Sequence, residues 1–169
     1  MTSMDIIIRN GRVLDGNGNP WFHADIGIEG KKIAKVGNLN GTPADKVIDA
    51  KGMIVSPGFI DIHNHSDVPL LVSGRAESMV RQGVTTVLTC SCGSSPFPLF
   101  GEGLESAKTR FSRYGLKVDW STSEEYEAKL KQQGISINVA LQIGHGSLRA
   151  AVMGFEARAP TPGEMREMK

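Results

Sequence analysis

Cysteine is nearly absent, since the 169 residues hold only Cys90 and Cys92. The two lie too close together to staple a fold and are too few for a secreted disulfide framework, so reduced thiols are expected. An excess of either charge is also missing. Lys and Arg number 19 against 18 Asp and Glu, a formal net charge of +1, which leaves no bulk attraction to nucleic acid or to an anionic membrane. No run approaches the roughly 18 consecutive apolar residues of a membrane span. The opening Met1-Thr2-Ser3-Met4-Asp5-Ile6-Ile7-Ile8-Arg9 has neither the basic start nor the length of a signal peptide. A cytoplasmic protein with no nucleic-acid or membrane partner is therefore expected. P-loop and dinucleotide fingerprints are lacking, and the lysines show no clustering that would mark a Schiff base or a phosphate site. Gly101-Glu102-Gly103 reads as a loop, because no strand leads into it. What is present, 40% apolar and 22% charged residues with 20 Gly and 8 Pro, is ordinary for a globular chain of about one domain. Disorder, collagen and coiled coil are excluded.

Residues 1–56 are strand-and-turn text. Asp5–Arg9 and Arg12–Asp15 flank Asn10-Gly11, which predicts a two-residue hairpin. Ala24–Ile28 and Lys32–Gly37 alternate with period two across Gly30, a second hairpin. Val47–Ala50 and Met53–Val55 add two short strands, completing a small antiparallel β unit without a helix. From Pro57 onward the pattern changes. Phe59–His63 reads as a strand, Arg75–Gln82 as a short helix closed by Gly83, and Thr85–Cys90 as a second strand. After an irregular stretch from about Ser91 to Asp119, Thr122 and Glu125 form a capping box for a helix to Gln133, with Glu125/Lys129 and Glu127/Lys131 as i,i+4 pairs. Ser136–Ile143 is a third strand. Alternating strands and helices over 57–169 argue for an α/β fold with a parallel sheet, either doubly wound or a barrel. At the end, Thr161-Pro162-Gly163-Glu164 repeats the capping-box pattern and then stops at Lys169. Three parallel strands cannot close a barrel of eight, so a fragment is expected.

Chemistry concentrates at three strand ends. His63-Asn64-His65 presents two imidazoles at i and i+2, which a strand projects from one face, and neutral imidazole is a common ligand for a divalent metal. The competing reading is two polar loop residues. Cys92, before Gly93, offers a thiolate suited to zinc, while Cys90 shares its strand parity and reads as a small buried hydrophobe. Gly144-His145-Gly146-Ser147-Leu148-Arg149 ends the third strand. Its His and Arg could polarise a carbonyl or hold a carboxylate, or the segment is an ordinary glycine turn. Asp61 and Asp67 flank the histidines and could either orient the imidazoles or serve as turn and cap residues.

These segments together resemble the amidohydrolase superfamily, and within it the N-acyl-D-amino-acid deacylases, or D-aminoacylases. The resemblance runs through Asp15–Ile28, Pro57–Asp67, Val80–Val87, Cys92-Gly93 and Gly144–Arg149. It implies the N-terminal portion of a metal-dependent (β/α)8 barrel over 57–169, the barrel incomplete, preceded by a β-sandwich segment over 1–56. It further implies zinc, with His63 and His65 belonging to one metal site, Cys92 to the tightly held zinc and His145 to substrate contact. The catalytic aspartate and two further zinc-ligating histidines fall beyond Lys169. The reaction implied is hydrolysis of the amide of an N-acyl-(D-)amino acid by a zinc-activated water. Two alternatives stand beside it: an amidohydrolase of cyclic amides, like dihydropyrimidinase or dihydroorotase, and an inactive fragment that only associates with itself or with the missing part. On the fragment reading, the chain alone is expected to show no turnover.

Overall fold

The computed structural model describes residues 3–169. The chain divides into two compact units, Met1–Pro57 and Gly58–Lys169.

In the first unit the strands are β1 (Met4–Val13), β2 (Phe22–Glu29), β3 (Lys32–Gly37), β4 (Ala44–Asp49) and β5 (Ile54–Val55). The sheet order is β3-β2-β1-β4, with β5 also on β1. The expected hairpin at Asn10-Gly11 is not there. Asn10 instead sits inside β1 at φ 62° as a bulge, its N–H donated to Asp25 Oδ1 at 3.1 Å and its Nδ2 to Asp49 Oδ1 at 2.9 Å. A type I′ turn needs positive φ at both central residues, and Gly11 does not adopt it. Gly11 serves packing, since a Cβ there would lie 2.6 Å from Val55 Cγ2.

The unit is also not wholly antiparallel. β2 pairs antiparallel with β1 and β3, but β4 and β5 pair parallel to β1. A parallel connection ordinarily takes a dozen residues or more. Here residues 38–43 manage it by crossing directly over the sheet face. Leu39 is buried with Met4 and Ile7, above Gly27, whose absent Cβ would stand 3.1 Å from Leu39 Cδ1. The hairpin across Gly30, at φ 57°, forms as read.

The second unit carries β6 (Phe59–Asp61), α1 (Asp67–Val72), α2 (Glu77–Val80), β7 (Val84–Thr89), α3 (Gly101–Ser112), α4 (Ser123–Gln133), β8 (Asn138–Leu141), α5 (His145–Met153) and α6 (Pro162–Glu167). β6, β7 and β8 are parallel neighbours in that order. The core lies where α1, α3 and α4 pack on the sheet: Leu70, Leu71, Val87, Phe97, Phe111, Trp120, Tyr126 and Leu130 are all buried. The polar ends of two buried aromatics find partners: Trp120 Nε1 donates to Pro96 O at 2.8 Å and Tyr126 Oη to Asp67 O at 2.6 Å.

Several local readings change. The helix expected over 75–82 shrinks to α2, because Ala76 adopts a left-handed conformation at φ 47° just before it. The stretch read as irregular contains α3, and Gly101-Glu102-Gly103 is its first turn rather than a loop. Helix propensity concealed it; Gly103 is small because a Cβ would meet Ala150 C at 3.1 Å, where α3 crosses α5. Helix α4 has the expected capping box, Thr122 with Glu125. That box occupies Glu125, so Lys129 turns to Asp119 at 2.6 Å, while Glu127 and Lys131 do pair, at 3.6 Å.

Thr122→Ala is expected to lower unfolding free energy by about 0.5–2 kcal/mol, read by denaturant titration. A second expectation concerns α6, where Arg158 clasps Glu164 with contacts of 2.8 and 2.6 Å. The Arg158 hydrogen bonds, then the Thr161 N–H, hold the Glu164 carboxyl down at about 2. A depressed acid favours the folded form fully above its ordinary pKa near 4.5, and that contribution disappears as pH falls towards 2. NMR titration of the Glu164 carboxyl should show the low midpoint, and Arg158→Ala should move it up towards the ordinary range.

Candidate metal centre

Parallel pairing brings the loops after β6, β7 and β8 to one end of the sheet. β6 stops at Asp61, two residues short of the strand expected, because its carboxylate captures the next free donors: His63 N–H at 3.1 Å on Oδ1 and Asn64 Nδ2 at 2.6 Å on Oδ2. These hydrogen bonds, Asn64 first, hold the Asp61 carboxyl below the usual carboxylate range. Asp61 is thus a turn residue, and the histidines are presented by a hydrogen-bonded loop rather than by a strand's pleat. Asp67 opens α1 and accepts Thr89 Oγ1 at 3.1 Å.

The Thr89-Cys90-Ser91-Cys92-Gly93 run is likewise not extended. Cys90 and Cys92 have φ of 68° and 54°, so the strand parity they share in sequence does not hold. Cys90 turns into the core, 2% exposed, where burial and then the Asp67 carboxylate push its thiol up to about 11. Cys92 turns outward, with Sγ 3.2 Å from His63 Nε2. The His63 and His65 rings meet edge to face, centroids 5.6 Å apart.

His63, His65 and Cys92 each offer one ligand atom, and the three atoms lie within 4.8 Å of one another. Donors around a tetrahedral zinc, with Zn–N of ~2.0–2.1 Å and Zn–S of ~2.3 Å, stand roughly 3.3–3.8 Å apart. The three side chains fit that ion with small rotamer adjustments, and two imidazoles with a thiolate are a donor set zinc favours.

His145 is not in this cluster; it is the exposed first residue of α5. The glycines beside it are explained by contact. A Cβ on Gly144 would lie 2.5 Å from Gly93 C and one on Gly146 2.8 Å from Gly93 O, so the start of α5 rests directly on the Cys92 loop. Ser147 N–H donates to Gly93 O at 3.2 Å, Ser147 Oγ to Ser95 O at 2.9 Å, and Ser95 N–H to Ser147 Oγ at 2.8 Å. Gly144–Arg149 is therefore more than a plain glycine turn, since it opens α5 against the Cys92 loop. Arg149 Nη2 is spent on the carbonyls of Glu156 and Arg158, at 3.1 and 3.0 Å. Sequence reasoning passed over Asn64, Ser95 and Ser147, whose roles depend on partners visible only once the loops are assembled.

The three candidate metal ligands thus gather at the C-terminal ends of parallel strands, the end at which active sites of α/β barrels sit. A model of the amidohydrolase family matches residues 46–168. The chain belongs to the amidohydrolase family. It is 38% identical to the N-acyl-D-glutamate deacylase of Alcaligenes xylosoxydans xylosoxydans, over 98% of this chain and 34% of that protein. Among solved structures, the N-acyl-D-glutamate deacylase of Bordetella bronchiseptica, complexed with zinc and a phosphonate that mimics the tetrahedral intermediate, aligns with a TM-score of 0.87 and 34% identity. That alignment covers 99% of this chain and 35% of that one. A D-aminoacylase structure aligns at 0.84 with 36% identity, covering 97% of this chain and 34% of its own. The chain spans about a third of the length of the curated relatives it matches.

At mildly alkaline pH iodoacetamide should modify Cys92 and leave Cys90 untouched until denaturant is added, as read by peptide mass spectrometry. Modification of Cys90 in the native protein would contradict its burial.

Proposed function

We propose that this chain contributes metal ligands to a zinc-dependent amidohydrolase that cleaves the amide of N-acyl-D-amino acids. The observation that carries the reading is the convergence of His63, His65 and Cys92 within 4.8 Å. The deacylase relatives, one of them complexed with zinc, support the substrate class. On this reading β6, β7 and β8 are the first three strands of a (β/α)8 barrel, spanning residues 57–169, and residues 1–56 are a sandwich segment. The open edges of β6 and β8 are consistent with further strands or a second copy of the chain covering them.

Where the resemblance divides them between two metal sites, the 4.8 Å convergence would let one ion take all three, His63 and His65 as neutral imidazoles and Cys92 as a thiolate. A zinc ion held there supplies Lewis-acid polarisation of the amide carbonyl and lowers the pKa of water. His145, beside the Cys92 loop, is placed in the role of a substrate contact. The carboxylate that would move the proton is assigned to none of the residues 1–169.

The test has two parts. Zinc content of the purified chain, and the cobalt(II) spectrum after substitution, should show about one metal per chain with a thiolate-to-cobalt band. That band should vanish in Cys92→Ser and persist in Cys90→Ala. Release of free amino acid from N-acetyl-D-amino acids is then measured by mass spectrometry on the protein that carries this chain within the full length of its relatives. His63→Ala or Cys92→Ala should reduce it by more than the roughly 10–100-fold typical of outer partners of a metal. Unchanged metal content in both variants would refute the reading.

A further inference from the structure

The residue between the two histidines does more than separate them. Asn64 uses both ends of its amide: Nδ2 donates to Asp61 Oδ2 at 2.6 Å, and Oδ1 accepts Ser66 N–H at 2.7 Å. Its backbone N–H reaches across to Leu88 O on β7 at 3.2 Å. Asp61 Oδ1 meanwhile takes the N–H of His63 at 3.1 Å. The backbone is therefore pinned at His63, between the histidines, and just after His65. The pin at Leu88 joins this loop to the strand that leads into Cys92.

An imidazole can sweep an arc about χ1 and χ2, and the backbone beneath it sets where that arc lies. In many metal centres a carboxylate or carbonyl holds the ring itself through its second nitrogen. Among the described residues neither His63 nor His65 has such a partner; the one hydrogen bond to either ring is His63 Nε2 with Cys92 Sγ, at 3.2 Å, beside the edge-to-face contact of the two rings. Restraint of these histidines falls to the loop.

The chemistry of the restraint also explains why residue 64 is an amide. It faces an acceptor on one side, the Asp61 carboxylate, and a donor on the other, the Ser66 N–H. Only an amide of this length satisfies both. Aspartate would set two carboxylates together, and alanine would release both ends.

We propose that Asn64 is a positioning residue for the metal centre, paired with Asp61 so that their amide–carboxylate contact sets how His63 and His65 approach Cys92. The inference rests on the reading that those three residues hold a metal.

The discriminating experiment is an exchange of the pair. Asp61→Asn with Asn64→Asp keeps each bond: the new amide at 61 accepts from His63 N–H and donates to residue 64, whose carboxylate accepts Ser66 N–H. Zinc affinity of the full chain is measured by competition with a chromophoric chelator, alongside the cobalt(II) spectrum and far-UV circular dichroism. Asn64→Ala and Asn64→Asp are expected to weaken zinc binding about 10–100-fold and to shift the cobalt ligand-field bands. The exchange should return affinity to within a few-fold of the starting protein, with the original spectrum. Unchanged affinity in Asn64→Ala, or an exchange that folds yet stays as weak as Asn64→Asp, would overturn the proposal. Should a single variant fold poorly, the exchange alone decides. His63→Ala and Cys92→Ala run in parallel: if they too leave affinity unchanged, the metal assignment has failed, whereas loss there with no effect at Asn64 condemns only the positioning role.

Discussion

Everything at the candidate metal centre depends on parallel pairing of β7 with strands on both sides. Thr86 aligns with Ile60 on one neighbour and Asn138 on the other, and Val87 with Asp61 and Val139. Because the strands point the same way in matched register, the loops that leave them emerge at one end of the sheet. Cys92 therefore meets His63 across a sequence separation of 29 residues. The same register lays the start of α5 on Gly93, a packing that tolerates only glycine at 144 and 146. Sheet geometry thus brings the loops together, and side-chain hydrogen bonds do the finer aiming.

What could be read from the sequence was what is local. Both capping boxes, Thr122 with Glu125 and Thr161 with Glu164, follow from residues three apart and form as written. The switch at Pro57 from hairpin text to strand–helix alternation, and the three parallel strands after it, follow from periodicity. His63, His65 and Cys92 could be singled out because metal-binding side chains at strand ends are few. What escaped depends on distant partners. Asn10-Gly11 has the composition of a turn, but Asp25 and Asp49 convert it into a bulge. The antiparallel expectation for the first unit failed because nothing near Leu39 announces that it crosses over Gly27. Helix α3 was hidden by glycines whose purpose is close approach to α5.

The two cysteines show how backbone conformation separates similar residues. Left-handed geometry at a non-glycine residue costs of the order of 1–3 kcal/mol and persists only where the surroundings enforce it. Here two such residues bracket Ser91, itself buried, and the Gly93 carbonyl beyond them is held by Ser147. The result is one thiol sealed among apolar side chains beside Asp67 and one facing solvent against an imidazole. Tight turning, rather than strand alternation, divides their chemistry.

The crossover in the first unit has a consequence for the order in which the chain can be made into structure. β1 is flanked by β2 on one edge and by β4 and β5 on the other. The β2 partner follows closely, but β4 begins only at Ala44. On a ribosome adding roughly 5–20 residues per second, the second edge of β1 waits about 2–7 s for β4 to be completed after the strand itself has been synthesised. During that interval Met4 and Ile7 lack the cover that Leu39 later provides. The nascent unit therefore passes through a hairpin-like stage of β1, β2 and β3 with one open edge, the stage at which a chaperone or a neighbouring nascent chain would meet it.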